Sequence, residues 1–272
     1  MKKFLKLISN KKAQYWILTL LIAIISAGLI YAKLNQIMPQ STVFFLNDVS
    51  APQKDQTVLV FSPHPDDESL GTGGYIIRSV ENGAKIKIVL VTDGNKHGLK
   101  DKRYQEFRTA TNTLGVTEDN LVFLNYPDGK LSSQNQNELY NKFKEVIISD
   151  NPNVVIFPHI QDSHPDHATT GKVVEKILQD LGKENIGYQY LVHDEHFPQP
   201  KKYSPDSYLL PPVDMVSFDK EWQRLILNKE EENRKQNAVE SYKSQFKTPF
   251  LKRLMFSMIR KNEIYSITGG GK

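Results

Sequence analysis

The stretch Phe61-Ser62-Pro63-His64-Pro65-Asp66-Asp67-Glu68 constrains this chain more than any other. It closes an apolar, β-branched run, Thr57-Val58-Leu59-Val60-Phe61, that reads as a buried strand. Two prolines stop the strand, and Ser69-Leu70-Gly71-Thr72-Gly73-Gly74 opens what reads as a helix. One imidazole and three carboxylates therefore crowd the carboxyl end of a strand, where open α/β sheets place their ligand sites. Like charges packed so closely are costly unless a cation compensates them, and a bound metal meets that need. The plainer reading is an acidic first helical turn, since Asp and Glu favour the positive end of the helix dipole.

A second stretch repeats the arrangement. Asp162-Ser163-His164-Pro165-Asp166-His167 follows the apolar run Val154-Val155-Ile156-Phe157, closed by Pro158, and precedes a helical pattern from Ala168 to Leu181. Of the 7 histidines in the chain, three fall in these two short loops, which argues against chance clustering. Lys85 to Thr92, Leu121 to Leu124 and Tyr188 to Val192 read as further strands. Between them, Tyr75 to Asn82, Arg103 to Leu114 and Glu138 to Ser149 read as helices. This alternation predicts an α/β, Rossmann-like three-layer sandwich with a mostly parallel sheet. The Pro-rich stretch Phe197 to Pro212 reads as a long functional rim. Lys220 to Phe246 reads as one long charged helix, and Phe250 to Lys261 as a terminal helix docked on the core.

The chain has no cysteine, so a transition metal must be held by His and carboxylate. Two His and one carboxylate form a known catalytic zinc set with an open position. Spacing alone offers His64, one of its neighbouring carboxylates, and one of His164 and His167.

The two motifs resemble those of the PIG-L/LmbE family of zinc-dependent N-acetylglucosamine de-N-acetylases. The likeness runs from about Thr57 to Gln245. It includes Arg103-Tyr104-Gln105-Glu106, then Ala110 and Leu114-Gly115-Val116, and Tyr126-Pro127-Asp128-Gly129. Lys235 to Ala238 and Tyr242-Lys243-Ser244-Gln245 complete it. The resemblance implies His64, Asp67 and His167 as ligands to Zn2+ or another divalent cation, and Asp66 as general base. It also implies His164 as general acid or charged oxyanion stabiliser, with Asp166 holding its ring nitrogen. Arg103 matches a substrate-contacting arginine; its plainer reading is a surface salt bridge with Glu106 or Asp101. Glu68 reads as a helix cap or a support. Asp93, Asp128 and Asp162 sit at strand ends and read as further supports. His97, His159, His193 and His196 have no motif support and read as structural or rim residues.

Residues 13–32 are almost continuously apolar, about the length needed to span a bilayer. Five lysines precede them and only Lys33 follows closely, which places the N-terminus in the cytoplasm. The competing reading is a signal peptide cleaved near Ile30-Tyr31-Ala32. The expected organisation is a basic cytoplasmic segment (1–12), a transmembrane anchor (13–32), a linker (33–56) and a PIG-L-like domain (57–272). The net charge of +4 is concentrated in the anchor region. Residues 1–33 hold six of the 35 basic residues and no acid, so the remainder has 29 basic against 31 acidic residues, a net of −2. That balance argues against a nucleic-acid partner.

The expected function is an extracytoplasmic, metal-dependent deacetylase acting on a GlcNAc-containing cell-envelope glycan or glycolipid. The alternatives are an amidase for another N-acyl sugar conjugate and a non-catalytic glycan-binding module. Gly71-Thr72-Gly73-Gly74 lacks the G-x-G-x-x-G spacing of a dinucleotide site.

Overall fold

The computed structural model describes residues 11–34, 38–96, 98–217 and 221–267. The chain divides into two compact units, with the boundary between Pro39 and Gln40. In the first, helix α1 (Lys11–Leu34) has no acidic residue in its first turn and no buried residue. At 1.5 Å per residue its 24 residues extend about 36 Å. It is long and apolar enough to cross a membrane.

The second unit opens with a 3-10 turn at Gln40–Phe45 and a two-residue strand β1 (Asn47–Asp48), both inside the stretch expected to be linker. Strand β2 (Thr57–Ser62) leads into helix α2 (Asp67–Glu81), then β3 (Lys85–Thr92) and α3 (Lys100–Leu114). Next come β4 (Leu121–Tyr126), α4 (Gln136–Asp150), β5 (Val154–Pro158), α5 (Pro165–Asp180) and β6 (Gly187–Tyr190). The chain ends through β7 (Trp222–Ile226), α6 (Lys229–Glu240), α7 (Pro249–Ser257) and β8 (Asn262–Ile267). Among the described residues these strands form one eight-stranded sheet, ordered β1-β7-β8-β6-β5-β2-β3-β4. Only β8 runs antiparallel to its neighbours β6 and β7. The structure is therefore an α/β sandwich around a mostly parallel sheet, as the alternation predicts.

Burial on both faces explains why the central strands read as unbroken apolar runs. Along β2, Val58 and Val60 enter one core while Leu59 and Phe61 enter the other. The first core lies under α2, α3 and α6, with Phe107, Leu114 and Val239 packed into it. The second lies under α4 and α5, through Phe143, Ile147, Val174 and Leu178.

Two expectations fail near the C-terminus. Where one long helix is predicted over Lys220 to Phe246, the described residues form strand β7 and then a shorter helix. Asn228 forms a reciprocal capping box with Glu231, so α6 starts at Lys229, and Trp222–Ile226 is free to pair in the sheet. The predicted terminal helix stops at Ser257, and the chain returns as β8, inserted between β6 and β7.

The topology fixes the site. From β2 the chain moves outward through β3 and β4, then returns to place β5 on the other side of β2. The carboxyl ends of β2 and β5 thus flank the crevice where the winding direction reverses, the favoured ligand position in such sheets. Both His-Pro-Asp loops emerge there.

Candidate metal centre and active site

The loop after β2 is held in a strained form. Asp66 has φ 131°, a conformation that costs a non-glycine residue about 1–3 kcal/mol. Thr92 fastens the loop from β3: its main-chain N–H and its hydroxyl both donate to Pro63 O, at 2.9 and 2.7 Å. Arg103 fastens it from α3, donating from Nη2 to Pro65 O (2.7 Å) and Asp66 Oδ2 (3.3 Å). Its Nη1 reaches Gly94 O and Asp128 Oδ2. Arg103 is buried, so the surface bridge to Glu106 or Asp101 is not what forms; Glu106 instead accepts from the Ser244 main chain and hydroxyl.

Asp67 Oδ2 lies between two imidazoles, 3.2 Å from His64 Nδ1 and 2.9 Å from His167 Nε2. The His64 and His167 rings stack with centroids 5.3 Å apart. His164 stands edge-on to His64, centroids 4.6 Å apart, so His64, Asp67, His164 and His167 of the two motifs converge. His64, His164 and His167 also bring ring nitrogens within 4.8 Å of one another.

Behind this group, Asp162 accepts from the main chains of His164 (2.9 Å), Val192 (3.1 Å) and His193 (3.0 Å). The same carboxylate lies 3.3 Å from His167 Nδ1. It thereby ties the β5 and β6 loops together and orients the ring from behind. Asp93 Oδ1 accepts the Asp128 N–H at 3.2 Å, bringing the β4 loop inward. Glu68 is buried and accepts from Ser62, Ser69, Tyr242 and the Asp66 main chain, which makes it a support rather than a cap.

Asp166 stands differently from expectation. Its carboxylate lies 3.1 Å from His64 Nε2 and accepts the Gly129 and Leu131 N–H groups. What orients His164 is the Asp166 main-chain N–H, which donates to Nδ1 at 3.3 Å. With Nδ1 accepting, neutral His164 carries its hydrogen on Nε2. Burial and the neighbouring His64 and His167 rings push His164 down to about 4, which favours the neutral ring near pH 7 over the charged form expected from the motif.

The neighbouring groups show the electrostatic demand of the site. Burial opposes charge on His64, yet Asp166 and Asp67 outweigh it and raise the ring to about 9. Burial likewise opposes charge on His167, and Asp67 and Asp162 lift it well above its ordinary value. Asp67, despite burial, is held well below the carboxylate range by His167 and His64. Asp66 goes the other way: burial, only partly offset by Arg103, pushes it up to about 7.

The carboxylates thus call for positive charge at the two rings on either side of Asp67. Neither nitrogen of His167 has an aligned hydrogen bond, although both lie close to carboxylate oxygens. Two imidazoles and a carboxylate oxygen converging in an anionic pocket, with the His167 nitrogens lacking aligned hydrogen bonds, fit a divalent cation of the zinc type.

His193 had no motif support, yet its ring packs on His167 (centroids 4.6 Å) and on His164 (5.4 Å). It also groups with Asp67 and His167 as a possible ligand set. The signal available for it was position, since it follows β6 at the same sheet edge. His159 is buried and stacks on Trp222, while His97 lies outside the described residues.

Comparison with known proteins agrees with this geometry. Residues 59–178 match the PIG-L family profile, described as GlcNAc-PI de-N-acetylase. A probable N-acetyl-alpha-D-glucosaminyl L-malate deacetylase 2 of Bacillus anthracis is 30% identical over 139 residues, 46% of this chain and 61% of that protein. The diacetylchitobiose deacetylase of Thermococcus kodakarensis is 29% identical over 147 residues, 50% of this chain and 54% of that protein. The chain therefore spans a little over half the length of these relatives. The N,N'-diacetylchitobiose deacetylase of Pyrococcus horikoshii shares the fold, with a TM-score of 0.57 and 19% identity over 90% of this chain and 92% of that one. The PIG-L segment ends within α5, so β6, its histidine and both C-terminal helices lie beyond it.

Proposed function

We propose that this protein is a metal-dependent hydrolase that removes the N-acetyl group from a GlcNAc-containing glycan or glycolipid, releasing acetate. One observation carries the reading: Asp66, raised towards neutrality, adjoins the convergent set His64, Asp67 and His167. The PIG-L match over residues 59–178 and the two relatives named as deacetylases of N-acetylated sugars support it.

His64, Asp67 and His167 would hold the cation, and a bound divalent cation supplies Lewis acidity and a water of lowered pKa. Asp66 takes the proton from the attacking water and returns it to the departing nitrogen, which leaves as the free amine. His164 donates from Nε2 to the oxygen that becomes negative as the carbonyl is attacked. Arg103 holds Asp66 in place through Pro65 and the carboxylate itself, leaving substrate contact as a further role. Asp166 and Asp162 fix the His64 and His167 rings.

In our reading α1 anchors the protein, with the lysines of residues 1–12 in the cytoplasm and the domain at 57–272 on the extracytoplasmic side. A cell-envelope substrate follows from that topology. The test is acetate release by the full chain from chitooligosaccharides and GlcNAc-bearing envelope glycan, with metal content measured alongside. Release that requires zinc or a like cation supports the activity. A fully loaded protein that releases no acetate refutes it.

A further inference from the structure

A cavity of about 340 Å3 opens directly beside Asp66, Asp67 and His193. Its volume lies within the usual range for small-molecule sites. Most of the surface it exposes is nevertheless apolar, a poor match to a sugar's hydroxyls. Leu70, Val192, Phe197, Leu254, Met255 and Met258 line it and offer no hydrogen-bonding side chain for hydroxyls taken out of water.

Ser163, His193, Asp194, Glu195 and Lys201 also line it, and two of these are engaged with the chain itself. Lys201 Nζ donates to Asp194 O at 3.0 Å, and Asp194 Oδ1 accepts the His196 N–H at 2.7 Å. At the α7 end, Leu251 lines the cavity and is 37% exposed, beside Phe250 at 61%. Lys252 and Arg253 follow on the same exposed turn. An apolar pocket with an exposed apolar residue in its wall and cations beside it suits an amphiphile.

Resting on the activity proposed above, we infer that this pocket receives an alkyl chain carried by the substrate close to the scissile amide. Because the cavity touches Asp66 and Asp67, its occupant must belong to the molecule being hydrolysed. Leu254 is then a specificity-determining residue, projecting from α7 into the space the chain fills. The chain has two possible attachments, the sugar's anomeric oxygen or the acyl carbon, and one experiment separates them.

The full chain, reconstituted in lipid nanodiscs and metal-loaded, is titrated with methyl, butyl and hexyl β-glycosides of GlcNAc. A parallel series of methyl glucosaminides carries N-acetyl, N-butanoyl and N-hexanoyl groups. Empty nanodiscs correct for partitioning, and Asp66→Asn protein gives binding without turnover. Affinity should rise along at least one series, by up to about fourfold per methylene that enters the pocket. The responding series identifies the side of the amide that bears the chain.

Leu254→Gln should flatten that slope and Leu254→Met restore it, whereas a merely structural defect would lower every affinity alike. Flat affinities along both series overturn the inference. Because binding is read on the inactive variant, a protein that hydrolyses none of these compounds refutes the activity while the slope still decides the pocket.

Discussion

Helix α2 touches two clusters built around carboxylates, one around Glu263 alone, and the two are completed differently. At the break in the helix, where Thr72 leaves helical geometry (φ −146°, ψ 16°), Glu263 accepts the freed Gly74 and Tyr75 N–H groups at 2.7 and 2.9 Å. It also receives Lys235 Nζ at 2.6 Å and Tyr265 OH at 2.7 Å. The charge is neutralised and the donors are matched from within the chain. At the N-terminal end of the same helix, Asp66, Asp67, Asp128, Asp162 and Asp166 face two raised histidines and one arginine. A self-sufficient cluster braces the fold, whereas an anionic one whose carboxylates raise two histidines suits an added cation.

The sharpest way to break this contrast is to remove one charged side chain from each cluster. Asp66→Asn should lower kcat about 100- to 10,000-fold, the usual worth of a positioned acid–base group, with metal content and Tm near wild type. Steady-state kinetics with metal analysis checks it, and a variant that loses metal instead would make Asp66 a ligand. Lys235→Met should do the reverse, costing about 3–5 kcal/mol of stability by leaving Glu263 charged and alone in the core. Denaturant unfolding should show Lys235→Met/Glu263→Gln recovering much of that loss, since neither buried charge is then stranded. A double variant no more stable than the single would show that Lys235 acts through packing rather than charge.

Adding metal sharpens the same comparison at smaller amplitude. A ligand at one hundred times its Kd stabilises the native state by about 2.7 kcal/mol. For a domain of this size that is a rise of roughly 5–10 °C in Tm. Calorimetry of the chelated protein before and after zinc should show the rise in wild type and in Lys235→Met, and none in Asp67→Ala. A rise surviving in Asp67→Ala would move the site to another donor set, such as His64, His164 and His167.

How far each region was legible in the sequence follows from the same distinction. Central parallel strands are buried on both faces, so Thr57–Ser62 and Lys85–Thr92 announce themselves by composition, and the loops that follow carry their chemistry in contiguous motifs. Strand β8 gave no such signal, because its buried positions include Asn262 and Glu263. Asn262 satisfies both main-chain groups of Leu209, and Glu263 waits on Lys235 and the broken helix; both partners lie far away in sequence. The position of Asp166 was missed for a related reason. Proximity in sequence paired its carboxylate with His164, whereas the sheet brought it against His64, 102 residues earlier.

The smallest effect tests whether the two clusters are mechanically joined. Gly71 lies between them, one residue before the break at Thr72, and a Cβ there would sit 2.2 Å from Cδ2 of Tyr190. Tyr190 is fully buried and its hydroxyl donates to Phe61 O at 2.9 Å, so the ring has little room to yield. Gly71→Ala should therefore cost about 1–3 kcal/mol through overpacking, measured by denaturant unfolding. If the helix moves as one body, zinc affinity should fall as well, because Asp67 is its first residue. If the break at Thr72 absorbs the displacement towards α6 and β8, affinity should hold while stability drops. Zinc titration of the variant distinguishes the two, and retained affinity would identify the break as the joint that isolates the metal site from the brace.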